Sequence, residues 1–95
     1  MKDLSIIILI DLYGKLLPAT HLERLQEYYL NDLSINEIAD NQSLSRQGVH
    51  DSITKSIAQL QSYENKLGIS KKLDKIRRTL NETDYNTVLD IILQE

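Results

Sequence analysis

Cysteine is absent from the 95 residues, proline occurs once and glycine three times. Without cysteine there is neither a disulfide nor thiol chemistry, a composition that suits a reducing compartment. His21 and His50 are the only histidines, too few soft ligands for a zinc site. Three scattered glycines leave no Gly-rich phosphate loop, and no serine pairs recognisably with a histidine and a carboxylate. Glu23 and Glu27 stand at i and i+4, but nothing near them supplies a nucleophile, a metal ligand or a cause for a shifted pKa. They read as a solvated acidic face. The expectation is a protein that is not an enzyme and holds no cofactor or metal.

Long apolar runs are also missing. The most apolar window, Leu4 to Tyr13, is interrupted by Ser5 and Asp11 and falls well short of the ~20 residues that span a bilayer. It has neither a basic leader nor a small-residue cleavage site, so it reads as neither a signal peptide nor a membrane insert. Three consecutive isoleucines would suit a buried strand as well as a helix. A helix is the better reading, because no partner strand appears elsewhere. A helix apolar on most sides needs covering on most sides, and a chain this short often gains stability by associating. A single helical domain over 1–95, paired as a homodimer, is therefore expected.

Charge is distributed unevenly. The formal net charge is -3, which argues against indiscriminate coating of nucleic acid. Residues 1–40 carry seven acidic and three basic side chains, residues 41–80 three acidic and eight basic, and residues 81–95 four acidic and none basic. The basic middle can hold a polyanion locally, since screening over ~8 to 10 Å mutes distant like charges.

That middle also carries the most informative pattern. Ser34 and Glu37 have capping-box spacing, and Ile35, Ile38 and Ala39 give the helix they open one apolar face. The polar run Asp40 to Ser43 ends it, Leu44 restores an apolar contact, and Ser45 caps a second helix at Arg46. Val49, Ile53 and Ile57 would face the first helix, leaving Arg46, Gln47, His50 and Lys55 outward. This is a helix-turn-helix over about 34–56. Its second helix runs on to about Leu67, with Gly68 as the stop, roughly 33 Å at 1.5 Å per residue. The stripe Val49, Ile53, Ile57, Leu60 and Leu67 exceeds what a three-helix unit covers. Gly48, in the first turn, suits close approach of a neighbouring helix or of a phosphate, or is a neutral choice, with packing the preferred reading.

The set Leu17-Pro18, Tyr28-Tyr29, Ser34, Glu37-Ile38-Ala39 and Leu44 to Val49 resembles region four of bacterial sigma factors. It is still more similar to the YlxM family of small helix-turn-helix proteins, whose pattern is met by Tyr28 to Ile38, Ser45 to Ile53 and Tyr63 to Leu67, about the first seventy residues. The resemblance implies an all-α, sigma-region-4-like bacterial protein, cytoplasmic and dimeric, that regulates by binding nucleic acid and is connected with the signal recognition particle pathway. Gln42 and Ser43 depart from the family, which usually has an apolar residue and then Gly, Asn or Asp in the turn. The segment after Leu67 is less characteristic of it.

Around this centre the other elements follow from their punctuation. Gly14 as a C′ residue and Pro18 bracket a turn. Thr20 and Glu23 make a second capping box, opening a helix to about Leu30 that supports the helix-turn-helix with Leu22, Leu25 and Tyr29, and His21 reads as a surface residue of its first turn. A C-terminal helical extension covers about 69–95. In it Ser70 caps a segment with Leu73, Ile76 and Leu80 on one face and Lys71, Lys75 and Arg78 on the other, and Thr83 caps a last helix whose seam of Tyr85, Val88, Leu89 and Ile92 closes the core or the dimer. Six of the eleven basic residues lie within positions 66–78, a solvated face or a phosphate-contacting patch.

The candidate nucleic-acid-binding residues are thus Arg46, Gln47 and His50 at base edges, Lys55 at phosphate, and Lys71, Lys75 and Arg78 on the extension. Arg suits guanine and Gln suits adenine. For an RNA ligand, loops or backbone are better targets than a deep A-form groove. The alternative is an adaptor that binds the targeting GTPases of the same pathway, with the helix-turn-helix as scaffold only.

Overall fold

The computed structural model describes residues 3–80 and 82–94. It contains six helices, α1 (Leu4–Tyr13), α2 (Ala19–Tyr29), α3 (Ile35–Gln42), α4 (Arg46–Leu67), α5 (Ile69–Thr79) and α6 (Glu82–Leu93), with one 3₁₀ turn at Gly14–Leu16. Among the described residues there is no strand, so the isoleucine run is helical. Helix α4 is the axis against which α1, α2 and α3 all lie. Leu25, Ile38, Val49 and Leu60, one or two from each of α2 to α4, are fully buried, and each contributes about 1.5–3 kcal/mol by leaving water.

Asp3 starts α1 by accepting from the Ser5 backbone N–H at 3.0 Å. One side of this helix, Ile6, Leu9, Ile10 and Tyr13, enters the core. On the other side Leu4 is 67% and Ile8 42% exposed, so the chain covers only part of it.

Several expected caps are placed differently. Helix α2 begins at Ala19 after Pro18, with no side-chain cap, so Thr20 lies inside the helix and its box with Glu23 does not form. His21 is half-buried, and its Nδ1 has no hydrogen-bond partner among the described residues. Gly14 is right-handed (φ -55, ψ -36). A side chain there would bring its Cβ to 2.8 Å from Leu22 Cδ1, so the position is kept small by helix packing. Gly48, read as a packing site, meets only its own capping Ser45 Oγ within 4 Å.

Helix α4 runs the full span expected of it and ends at Gly68 in the left-handed conformation (φ 62). Its buried line is Val49, Ile53, Ser56 and Leu60, because steps of four residues drift off a 3.6-residue turn and a step of three restores the phase. Ile57 is therefore only half-buried, and Leu67 is 48% exposed. Ser70 is the second residue of α5, whose cap position is Gly68. Helix α6 rests mainly on α5 and contributes nothing to the core cluster, so its seam does not close the core. Thr83 falls within that helix, and its side chain lies outside the described residues.

Candidate nucleic-acid interface

The turn that aims α4 is fixed by local chemistry. Ser34 Oγ accepts from the Glu37 N–H at 3.1 Å, and the Glu37 carboxylate accepts from the Ser34 N–H at 3.0 Å. The expected capping box is complete. Ser43 ends α3 in the left-handed conformation (φ 54, ψ 43), where a β-carbon costs roughly 1–2 kcal/mol. Leu44, still 39% exposed, returns its N–H to the Ala39 carbonyl at 2.9 Å. Ser45 Oγ then accepts from the Gly48 N–H at 3.0 Å and starts α4. Replacing Ser43 with Gly is expected to raise stability by about 0.5–1 kcal/mol in urea unfolding; Ser43→Val should lower it.

The expected interface residues Arg46, Gln47, His50 and Lys55 are all exposed. Arg46, Gln47 and His50 come together with Ile35 around a shallow depression between the starts of α3 and α4. Gln47 Nε2 donates to Asp51 Oδ1 at 2.7 Å, and His50 Nδ1 lies 3.6 Å from the same oxygen. Arg46 is exposed and makes no hydrogen bond or ion pair to a described residue, which leaves its donors available to a ligand. Lys55 sits more than two turns further along α4, on another side from Arg46.

The structure does not bring the second set to this place. Lys71, Lys75 and Arg78 share the solvent face of α5, at the far end of α4, roughly 30 Å away at 1.5 Å per residue. Arg78 is bound to Asp74 at 2.8 Å, while Arg77 lies 5.8 Å from the centre of the Tyr85 ring.

Two networks hold these surfaces in place, and no sequence pattern pairs their members; Glu27, expected on a solvated acidic face, is half-buried in the first of them. Half-buried Arg24 on α2 donates to Gln42 Oε1 at 2.8 Å and to Ser52 Oγ at 2.9 Å. Gln42 Nε2 in turn reaches the Glu27 carboxylate at 3.3 Å. Gln42, which departs from the family pattern, thereby ties α3 to α2, while Arg24 ties α2 to α4. The other network is Tyr13 with Glu64. The Tyr13 hydroxyl donates to Glu64 Oε1 at 2.7 Å and accepts from the Ile69 N–H at 3.2 Å, and the Ser70 N–H donates to Glu64 Oε1 at 3.1 Å. A carboxylate from α4 so caps α5, where Gly68 offers no side chain. Burial alone would raise the Glu64 carboxyl. The bonds from Tyr13 and from the Ser70 and Lys71 amides, with the Lys71 charge, outweigh it and hold the carboxyl below its ordinary value. Burial first, and then the Glu64 bond, raise the Tyr13 phenol.

Two helices joined by a left-handed turn, the second long and supported by a third, make this a helix-turn-helix protein. The model of a family described as "Putative helix-turn-helix protein, YlxM / p13 like" matches residues 1–92, beyond the seventy residues of the resemblance. The chain is 43% identical over 97 residues to a UPF0122 protein of Malacoplasma penetrans, covering 99% of this chain and 91% of that one. It is 45% identical over 83 residues to a UPF0122 protein of Symbiobacterium thermophilum, covering 86% and 78%. With a UPF0122 protein of Clostridium perfringens it shares 44% over 78 residues, covering 82% and 70%. The chain belongs to this family, UPF0122. Among the described residues no helix is long and apolar enough to cross a membrane.

Proposed function

We propose that this protein is a cytoplasmic regulator that binds nucleic acid through the start of α4. Arg46 and Gln47 meet base edges, His50 flanks them and Lys55 takes a phosphate. The observation that carries this reading is Arg46, exposed and without a hydrogen bond or ion pair to a described residue, in the first turn of a helix anchored by the buried Val49, Ile53 and Leu60. Lys71, Lys75 and Arg78 add a second, sequence-neutral phosphate contact, for which Arg78 exchanges Asp74 for the ligand. What supports a role in the signal recognition particle pathway is the family resemblance.

Fluorescence anisotropy against duplex DNA and against signal recognition particle RNA, over a salt series, tests the proposal. Arg46→Ala is expected to weaken binding about 5- to 150-fold, the range for a lost bidentate base contact of ~1–3 kcal/mol. Lys55→Ala should reduce the salt slope by about one. Absent or salt-independent binding to both ligands overturns the reading.

The exposed apolar side chains Leu4 and Ile8 on α1, and Ile91, Ile92 and Leu93 on α6, support a homodimer. Light scattering checks it, a monomer being the contrary result. One observation favours the adaptor reading: a groove of about 350 Å³ between α1, α5 and α6, lined by Ile8, Leu12, Leu73 and Leu89 among others, suits a protein segment. If Arg46→Ala with Gln47→Ala leaves the pathway's output unchanged, the adaptor is the better account.

A further inference from the structure

We infer that the depression bounded by Ile35, Arg46, Gln47 and His50 receives an A·T base pair of duplex DNA, with the thymine 5-methyl group seated on Ile35. This rests on the proposed use of α4 as the recognition helix and adds the ligand class. Ile35 is the first residue of α3, pinned there by the Ser34–Glu37 box. It is half-buried and packed against the core, so its remaining surface is a fixed apolar floor beside polar walls.

The walls fit one partner. A carboxylate oxygen only accepts, so the 2.7 Å bond to Asp51 Oδ1 fixes which end of the Gln47 amide points inward along the helix. One N–H and the carbonyl oxygen of Gln47 remain, and these match the N7 acceptor and N6 donor of adenine in the major groove. Asp51 is thus a positioning residue for Gln47. The thymine paired with that adenine presents its methyl group in the same groove, and Ile35 is the apolar group next to Gln47 that can receive it. Uracil has no such methyl, and the major groove of A-form RNA is too deep and narrow for side chains to read. Ile35 is therefore the residue that separates DNA from RNA at this site.

A random duplex DNA pool enriched on the full chain, then resynthesised with deoxyuridine replacing thymidine one position at a time, tests this on the unaltered protein. At one A·T pair, loss of the methyl should weaken binding about fourfold, the factor for one apolar carbon taken out of water. Ile35→Ala should abolish that difference. Arg46→Ala should weaken the thymine and uracil duplexes equally. If the pool enriches with salt-dependent binding but every deoxyuridine is neutral, the thymine assignment fails while the nucleic-acid reading stands. A methyl effect that persists in Ile35→Ala places the contact elsewhere and also overturns it. No enrichment and no binding of duplex DNA at low salt removes the thymine assignment, and the nucleic-acid reading falls with it only if signal recognition particle RNA is not bound either.

Discussion

Replacing Arg24 with alanine is expected to lower the melting temperature by roughly 8–16 °C, from a loss of about 2 kcal/mol in a chain of this size. It should also weaken nucleic-acid binding, although Arg24 is not among the groups at the depression. The guanidinium is the common partner of Gln42 at the end of α3 and Ser52 in the second turn of α4, so it sets the angle at which α4 leaves the turn. Alanine leaves Gln42 Oε1 and Ser52 Oγ without that donor. Arg24→Lys should recover little, since one ammonium on a flexible stem does not reproduce two donors in a fixed fork. Calorimetry and anisotropy on the same samples check this. A variant that melts within a degree or two of the parent would mean that solvent screens the network and that packing alone sets the angle.

The second large effect is expected at Tyr13. Tyr13→Phe removes the hydroxyl that Glu64 accepts from and that the Ile69 N–H donates to. The carboxylate keeps its half-buried place without that donor, at a cost of about 1.5–3 kcal/mol. Because α6 rests mainly on α5, the loss should be concentrated in the C-terminal arm. Hydrogen exchange should show faster amides at residues 69–71 and through α5, with α2 to α4 unchanged. Uniform loss of protection over all helices would contradict this local role.

Glu64→Gln adds a pH signature. A carboxyl held below its ordinary value of 4.5 stabilises the fold above that pH and loses the contribution as pH falls through the folded-state value. The parent should therefore exceed Glu64→Gln in stability at neutral pH, and the two should converge as pH drops below about 4.5.

The contrast between these two networks and the helix-turn-helix shows what the sequence makes legible. Ser34, Glu37, Ser45 and Gly68 act on backbone groups within four residues, so their spacing alone located α3, the turn and both ends of α4. Tyr13 and Glu64 are fifty-one positions apart, and Arg24 reaches α4 across twenty-eight. No local pattern pairs them. The only trace of Arg24 in the sequence is a lone basic residue between Glu23 and Glu27. Thr20 misleads because Pro18, with its fixed φ, already places Ala19 in the helix. Ser70 misleads because a carboxylate from the previous helix has taken over the cap. The exposure of Gln47 follows from helical phase, whereas Arg46, seven residues before the buried Ile53, is exposed by its place at the start of α4, and the meeting of these residues with Ile35 depends on the crossing of α3 and α4.

The central claim is that the first two turns of α4 are the nucleic-acid-binding surface. Titrating the ¹⁵N-labelled chain with duplex DNA and following each amide by NMR tests it most directly. The account predicts that residues 35 and 46–50 shift first, followed by those around Lys55 and then α5 as phosphate contacts form. Shifts confined to α1 and α6, with 46–50 unmoved at saturation, would contradict it.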